Sequence, residues 1–354
     1  MKKEIKALSN KCSGCGDDII FNPDLNCVVC PSCKQTKSIK PNSQYSKHGV
    51  ENKADLLDKN NEWASQNKTM SCPNCGAQVV LNKFQASSNC PYCNSELVAS
   101  MEKFTGLKPD AIIPFKFGKE KAIEMFKEKI KNKWLVPSKF KKSISAKEVH
   151  AYYFPTFIFE ADCHTRYEGR LYETYTVKDK DGNSETRRRY FNISGIKDTK
   201  HEGIEVEAST KLTQYELNLV RPYDKKQAQA YTDEYVYGFD LEYYSNSVNE
   251  TYTQAQTIMK QDIKNQILRG YNYDGVDSFT MFNEFSNPKY SYVMLPMYRI
   301  NYSYKNKNYS NIMNGQTGAL GGDYPKSALK ISMIVLLIML AFLLPTIIIL
   351  LNVL

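Results

Sequence analysis

Eight cysteines stand in a pattern suited to metal. Cys12-x-x-Cys15, fourteen residues and Cys30-x-x-Cys33 recur sixty positions later as Cys72-x-x-Cys75, fourteen residues and Cys90-x-x-Cys93. A CxxC turn sets two thiolates on one side of a knuckle. Two facing knuckles give the tetrahedral four-sulfur shell that zinc prefers. The expected ligands are Cys12, Cys15, Cys30 and Cys33 for one structural zinc ion, and Cys72, Cys75, Cys90 and Cys93 for a second. The repeat extends past the thiols: Gly16 matches Gly76, the run Ile19, Ile20, Phe21 matches Val79, Val80, Leu81, and Asn22 matches Asn82. This is a duplicated module.

Pro31, Pro73 and Pro91 follow the first cysteine of three of the four knuckles, and Gly16 and Gly76 follow two knuckles, where φ above zero is useful. A unit of roughly 30 residues with so little apolar material has no core of its own. Metal must replace it, since structural zinc contributes on the order of 10 kcal/mol of apparent folding free energy. The competing reading, a disulfide framework, needs an oxidising compartment. Residues 1–11 are charged and lack the apolar run of a cleavable signal peptide, so the thiols are expected on the reduced, cytoplasmic side. Cys27-x-x-Cys30 is also a CxxC. The register of the second ribbon and the CPxC form favour Cys30 with Cys33 and leave Cys27 spare.

Around these ligands the chain divides into a zinc ribbon at 1–40, a polar linker at 41–70, a second ribbon at 71–104, an α+β domain at 105–325 and a membrane anchor at 326–354. The linker is rich in Asn, Lys, Gln and Ser, with one weak helix at 54–65 and Trp63 docking locally. In the α+β domain, 111–117 predicts a short strand. Residues 119–134 predict an amphipathic helix presenting Ile123, Phe126, Ile130 and Trp134 on one face. Residues 152–161 predict a strand with Pro155 at an edge or bulge. Asp181-Gly182 joins a hairpin, and Ile204, Val206 and Ala208 alternate as a half-buried strand. Ser247-x-x-Glu250 is a capping box before a helix whose stripe is Tyr252, Ala255, Met259, Ile263 and Ile267. A further strand lies at 290–304, and Asn314-Gly315 turns a last hairpin. Phe154-Pro155-x-Phe157-x-Phe159 resembles Leu295-Pro296-x-Tyr298-x-Ile300, as two similar β units or as chance.

Ile331–Leu354 runs for 24 residues without a charge. As a helix it would span about 36 Å against a hydrocarbon core of about 30 Å. It predicts a single-pass tail anchor, and Lys326 and Lys330 before it place residues 1–325 on the cytoplasmic side.

Catalytic chemistry is not evident. The chain has no GxxxxGK[ST], GxSxG or HExxH. Cys163 and His164 are strand neighbours and point to opposite faces. His48, His150 and His201 are isolated in sequence, and the glycines from Gly315 to Gly322 suit turns better than phosphate. Arg187–Arg189 are a solvated strand end or, less simply, a contact for phosphate or anionic lipid. An enzyme is not expected. Nor do the ribbons look like nucleic-acid readers. Residues 11–40 hold four lysines against three aspartates and residues 71–98 one lysine against one glutamate, so neither ribbon is the basic patch that phosphates require. Phe21 and Phe84 fit a ribbon core better than base stacking. Protein contact is the simpler role, and membrane-tethered nucleic-acid binding is the alternative.

Taken together, the paired ribbons, GLKPDAIIPFKF before a helix ending in KWLVP, AYYFPTFIFEA, VMLPMYRINYSY and NGQTGALGGDYPKS before an apolar tail resemble a bacterial family of membrane-anchored zinc-ribbon proteins. The likeness covers nearly the whole chain. Members are often labelled as TFIIB-type zinc-ribbon proteins or relatives of primosomal replication factor Y, a helicase label that the missing phosphate loop argues against. Some are encoded beside phage-shock protein A and flotillin-like SPFH proteins. The resemblance implies recruitment of envelope-stress proteins to the cytoplasmic membrane, carries the eight ligand positions over to the cysteines named above, and carries over no catalytic residue. The fold class expected is α+β multidomain: two small zinc ribbons, a Tyr-rich mixed α+β domain and one C-terminal transmembrane helix.

Overall fold

The structure, a computed structural model, describes residues 11–51, 63, 67–82, 87–90, 92–93, 95–98, 106–143, 148–178 and 183–353, the side chains of 344–353 excepted. It is a mixed α+β protein, mostly sheet. The strands are β1 (Ile20–Asn22), β2 (Cys27–Val29), β3 (Thr36–Ser38), β4 (His48–Gly49), β5 (Asn67–Ser71), β6 (Gln78–Asn82), β7 (Ser87–Asn89), β8 (Glu96–Val98), β9 (Ala111–Ile112), β10 (Glu148–Lys178), β11 (Ser184–Glu207), β12 (Gln229–Ala230), β13 (Asp240–Glu242), β14 (Gly275–Tyr304), β15 (Lys307–Asn314) and β16 (Leu320–Gly322). The helices among the described residues are α1 (Lys119–Lys131), α2 (Ser138–Ser143), α3 (Gln214–Val220), α4 (Val248–Leu268) and α5 (Ala328–Val353).

One large sheet organises the chain. Its spine is β10 against β14, antiparallel, with Phe154 opposite Leu295. The two similar motifs are thus partners across a local two-fold axis, and their surroundings match. β13 lies parallel to β10 at Tyr152 and Tyr153, as β9 lies parallel to β14 at Val293 and Met294. β11 joins β10 from Thr156, and β15 joins β14 from Met297. The Ala208 amide donates to Pro155 O at 3.1 Å, and the Gly315 amide donates to Pro296 O at 2.9 Å. Each half is therefore a strand–helix–strand–strand unit, β9-α1-β10-β11 or β13-α4-β14-β15, and each gives its first strand to the other half.

This symmetry explains both prolines. Pro155 was expected at an edge or bulge, yet it sits inside the central strand. Its neighbour on one side changes from β13 to β11 there, so the missing N–H falls where no ladder bond is called for. Pro296 occupies the matching gap between β9 and β15. A bulge does occur, between Glu160 and Asp162. At Gly315 a Cβ would stand 2.4 Å from the Phe115 ring and 2.9 Å from Pro296 Cβ, so the second half closes only with glycine.

Alternation along the spine feeds two core layers. Tyr153, Phe157 and Phe159 pack with Phe126 and Ile130 of α1 and Ala255 and Met259 of α4. Tyr152, Phe154 and Ile158 pack with Leu217 and Val220 of α3. Beyond residue 162 the strands β10, β11 and β14 run on as a three-stranded arm. Ile263, Ile267 and Leu268 of α4 cover its inner face. The capping box of α4 is present: Ser247 and Glu250 each accept from the other's amide.

The first amphipathic helix needs correction. α1 ends at Lys131 with Asn132 as C-cap, and its buried residues are Ala122, Phe126 and Ile130. Trp134, expected on that stripe, lies past the helix end and is 55% exposed. The segment 41–70, read as a linker, touches the large sheet: β4 pairs with β14 at Tyr290, and Trp63 is buried edge-on to Tyr231 at 6.4 Å. Among the described residues no helix is long and apolar enough to cross a membrane. The side chains of α5 are described as far as Leu343, and the rest of its apolar run, residues 344–354, lies outside them.

Candidate metal centres

Each cysteine group is built by two backbone knuckles. In the first, the Gly16 amide donates to Cys12 O at 2.9 Å and the Lys34 amide to Cys30 O at 3.0 Å. In the second group the Gly76 amide donates to Cys72 O at 2.7 Å. Gly16 and Gly76 take φ of 78° and 69°, the left-handed region that favours glycine. Short antiparallel strands hold the knuckles face to face: β1-β2-β3 in the first group, and β5-β6 with β7-β8 in the second.

The result is two four-thiol groups of the same geometry. Within Cys12, Cys15, Cys30 and Cys33, and again within Cys72, Cys75, Cys90 and Cys93, the sulfurs all lie within 4.8 Å of one another. The first thiol meets the fourth and the second meets the third: Cys12–Cys33 3.5 Å, Cys15–Cys30 3.4 Å, Cys72–Cys93 3.4 Å and Cys75–Cys90 3.5 Å. A tetrahedral ion with metal–sulfur bonds of about 2.3 Å sets its sulfurs about 3.8 Å apart. The donor set therefore fits a metal ion, and each site could hold one. All ten cysteines are free thiols. Cys27 lies in β2, outside the first group.

One thiol of each group is held toward the thiolate. Amides of Cys15 and Gly14 bring Cys12 down to about 7. Burial alone would raise Cys93, but hydrogen bonds with Ser95, Cys72 and Asn74 bring it to about 6. Their neighbours Cys15, Cys33, Cys75 and Cys90 are pushed up, the first two by adjacent thiols against the opposing pull of backbone amides, and the other two chiefly by burial. Four thiolates packed this closely repel, and a cation relieves the repulsion.

No protein-family model matches the chain, and no solved structure matches it. One curated relative spans it. Over 329 residues, 92% of this chain and 92% of the relative, it is 23% identical to the uncharacterized protein YdjG of Bacillus subtilis (strain 168).

Neither group stands apart from the large sheet. β6 pairs with β13 at Val79 and Val80, so the second ribbon extends that sheet. Tyr92, inside its last knuckle, donates its hydroxyl to Glu242, and the guanidinium of Arg299 lies 4.7 Å from the Tyr92 ring centroid. Glu242 also accepts from the Ser209 hydroxyl. Burial pushes its carboxyl up to about 7, against the opposing pull of these hydrogen bonds and of Arg299 and Lys211. Lys211 Nζ bonds Cys75 O at the other knuckle. The first ribbon docks through Phe21, buried against Tyr235 at 5.3 Å, with its amide donating to Tyr237 O at 2.9 Å. The expected ribbon-core role of Phe21 is thus a role in the main core; Phe84 lies outside the described residues.

Two histidines that look isolated in sequence have partners. His48 Nε2 meets Asp110 Oδ1 at 2.6 Å, in the wall of a cavity of about 330 Å³ lined also by Tyr45, Lys108, Tyr231 and Tyr290. His201, in β11, lies 3.7 Å from Asp262 of α4. Only a 62-residue separation closed by β4 pairing creates the first contact, and no local signal announces it. Cys163 and His164 do face opposite ways: the thiol is buried and the imidazole is exposed, 2.6 Å from Asp198.

Proposed function

We propose that this protein is a scaffold anchored in the bacterial cytoplasmic membrane, with structural zinc in both four-cysteine groups and residues 1–325 in the cytoplasm. It recruits protein partners, of the SPFH or phage-shock kind that the resemblance implies, and it is not an enzyme. On this reading it belongs with the membrane-anchored tandem zinc-ribbon proteins.

The observation that carries the proposal is the start of α5. From Met333 to Leu343 the helix is apolar on every side and largely exposed, Phe342 by 73%. A helix with no polar face has no stable place in water. The whole charge-free run, Ile331–Leu354, is long enough for a bilayer. Four sulfurs and no nitrogen or oxygen donor at either site favour zinc, with no open position for catalysis. The first ribbon also leaves Leu25 of its β1–β2 turn 63% exposed, an apolar tip suited to protein contact.

The full-length chain tests this directly. It should stay with membranes through alkaline carbonate, carry two zinc ions per chain by mass spectrometry of the metal content, and lose its co-purifying partners on Cys33→Ser. Release by carbonate would reject the anchor, and an unchanged partner set in Cys33→Ser would reject recruitment by the first ribbon.

A further inference from the structure

The corner from which α5 departs is the most basic part of the molecule. Residues 127–142, covering the end of α1, the turn and α2, hold seven lysines against one glutamate. That net +6 is most of the chain's +9. Two contacts fold the corner into one piece: Phe126 of α1 and Phe140 of α2 pack on the same Tyr302 ring, at 5.5 and 5.3 Å. In its midst Trp134 is 55% exposed.

The corner is tied to the first turn of α5. Lys330 Nζ donates to Trp134 O at 2.7 Å and to Val136 O at 3.0 Å, and the Ser327 amide donates to Leu135 O at 2.8 Å. The apolar run begins at the next residue, Ile331. Trp134 is therefore held within one residue of the point where the charge-free run of α5 begins, with Lys129, Lys131 and Lys142 exposed nearby on α1 and α2.

We propose that this corner is a lipid-headgroup contact: Trp134 seats in the interface and the lysines of α1 and α2 lie against anionic phospholipid, fixing the orientation of the domain on the membrane. The inference rests on the anchor reading of α5. Helix dipoles account for basic residues in the last turns of α1 and α2, but not for Lys133 between the two helices or Lys139 in the first turn of α2. An aromatic ring with a polar edge favours the headgroup layer, and lysines within a Debye length of an anionic surface are drawn to it. The occupant is argued from charge and from continuity with α5. Lys330 Nζ lies 5.7 Å from the Trp134 ring centroid, which ties the indole to α5, and a soluble polyanion would satisfy the lysines but would leave the exposed part of the ring uncovered.

The test uses the full-length chain with Trp63→Phe, so that Trp134 is the one tryptophan, reconstituted in vesicles of phosphatidylcholine alone or mixed with phosphatidylglycerol. With bromine on the lipid chains near the headgroup, Trp134 emission should be quenched about twofold more in the anionic vesicles, and the difference should vanish in 1 M salt, where the Debye length is about 3 Å. Lys129→Glu with Lys131→Glu and Lys142→Glu should abolish the difference while the chain remains carbonate-resistant. Equal quenching in both vesicles from a carbonate-resistant chain would overturn the headgroup contact and leave the anchor standing. Release by carbonate would overturn both. A Trp134 response to added single-stranded RNA in neutral vesicles, without one to phosphatidylglycerol, would assign the lysines to nucleic acid instead.

Discussion

The hydroxyl of Tyr92, one residue before the thiol of Cys93, donates to the buried carboxyl of Glu242. A four-cysteine site and a buried acid of the central sheet therefore share one side chain. Tyr92 also lies edge-on to Tyr152 at 5.5 Å, so the knuckle is wedged between β10 and β13.

Glu242 should make stability depend on pH. Burial pushes its folded value up to about 7, against about 4.3 for an exposed glutamate. Between these values the folded protein keeps a proton that the unfolded chain has released, so stability falls as pH rises and the full loss is reached above pH 7. The loss is on the order of 3 kcal/mol. Glu242→Gln should therefore gain on the parent by about 2 kcal/mol between pH 5 and 8, read as diverging melting temperatures. Parallel curves would show that burial of this acid is not the controlling effect.

Metal removal should loosen the sheet as well as the ribbon. Tyr243 N donates to Gln78 O at 3.0 Å and β6 borders β13, so stripping the second site should speed amide exchange at 78–82 and 240–243 together. Exchange confined to residues 72–93 would mean that the ribbon is coupled only weakly to its neighbours. Tyr92→Phe should cost about 1–2 kcal/mol by depriving Glu242 of a donor, with metal content unchanged.

Cys27→Ser should leave two metal ions per chain, and Cys33→Ser should leave one. The reverse result in a metal assay would exchange the roles of these cysteines, since Cys27 stands three residues before Cys30 in β2.

Gly315→Ala should destabilise by roughly 2 kcal/mol, because the added methyl meets the Phe115 ring and Pro296 and the packed aromatic layer has little room to yield. Phe115 is already stacked on Phe239 at 4.5 Å. A neutral result in thermal unfolding would show that the ring shifts freely.

Much of the chemistry was legible residue by residue. The CxxC knuckles of the two four-cysteine groups, the left-handed Gly16 and Gly76 and the capping box at Ser247 all depend on spacings of three or four residues, within which backbone geometry decides what can meet. The stripe on α4 was readable for the same reason: 3.6-residue periodicity is local. Trp134 misled because it continues the apolar period of α1 past the last helical residue, and periodicity does not say where a helix stops.

The sequence by itself determined where metal can be held and where an unbroken apolar run begins, because both are properties of neighbouring side chains. The tertiary structure alone decided that the FPxFxF and LPxYxI segments are partners across a two-fold axis, that each half lends its first strand to the other, and that Tyr92 and Phe21 seat the ribbons on the sheet. Those relationships join residues separated by 141, 182 and 214 positions, as Phe154 to Leu295, Ala111 to Val293 and Phe21 to Tyr235 show. Contacts of that length are selected by the burial of the whole aromatic core and by which strand edges remain unpaired, and no local pattern encodes either.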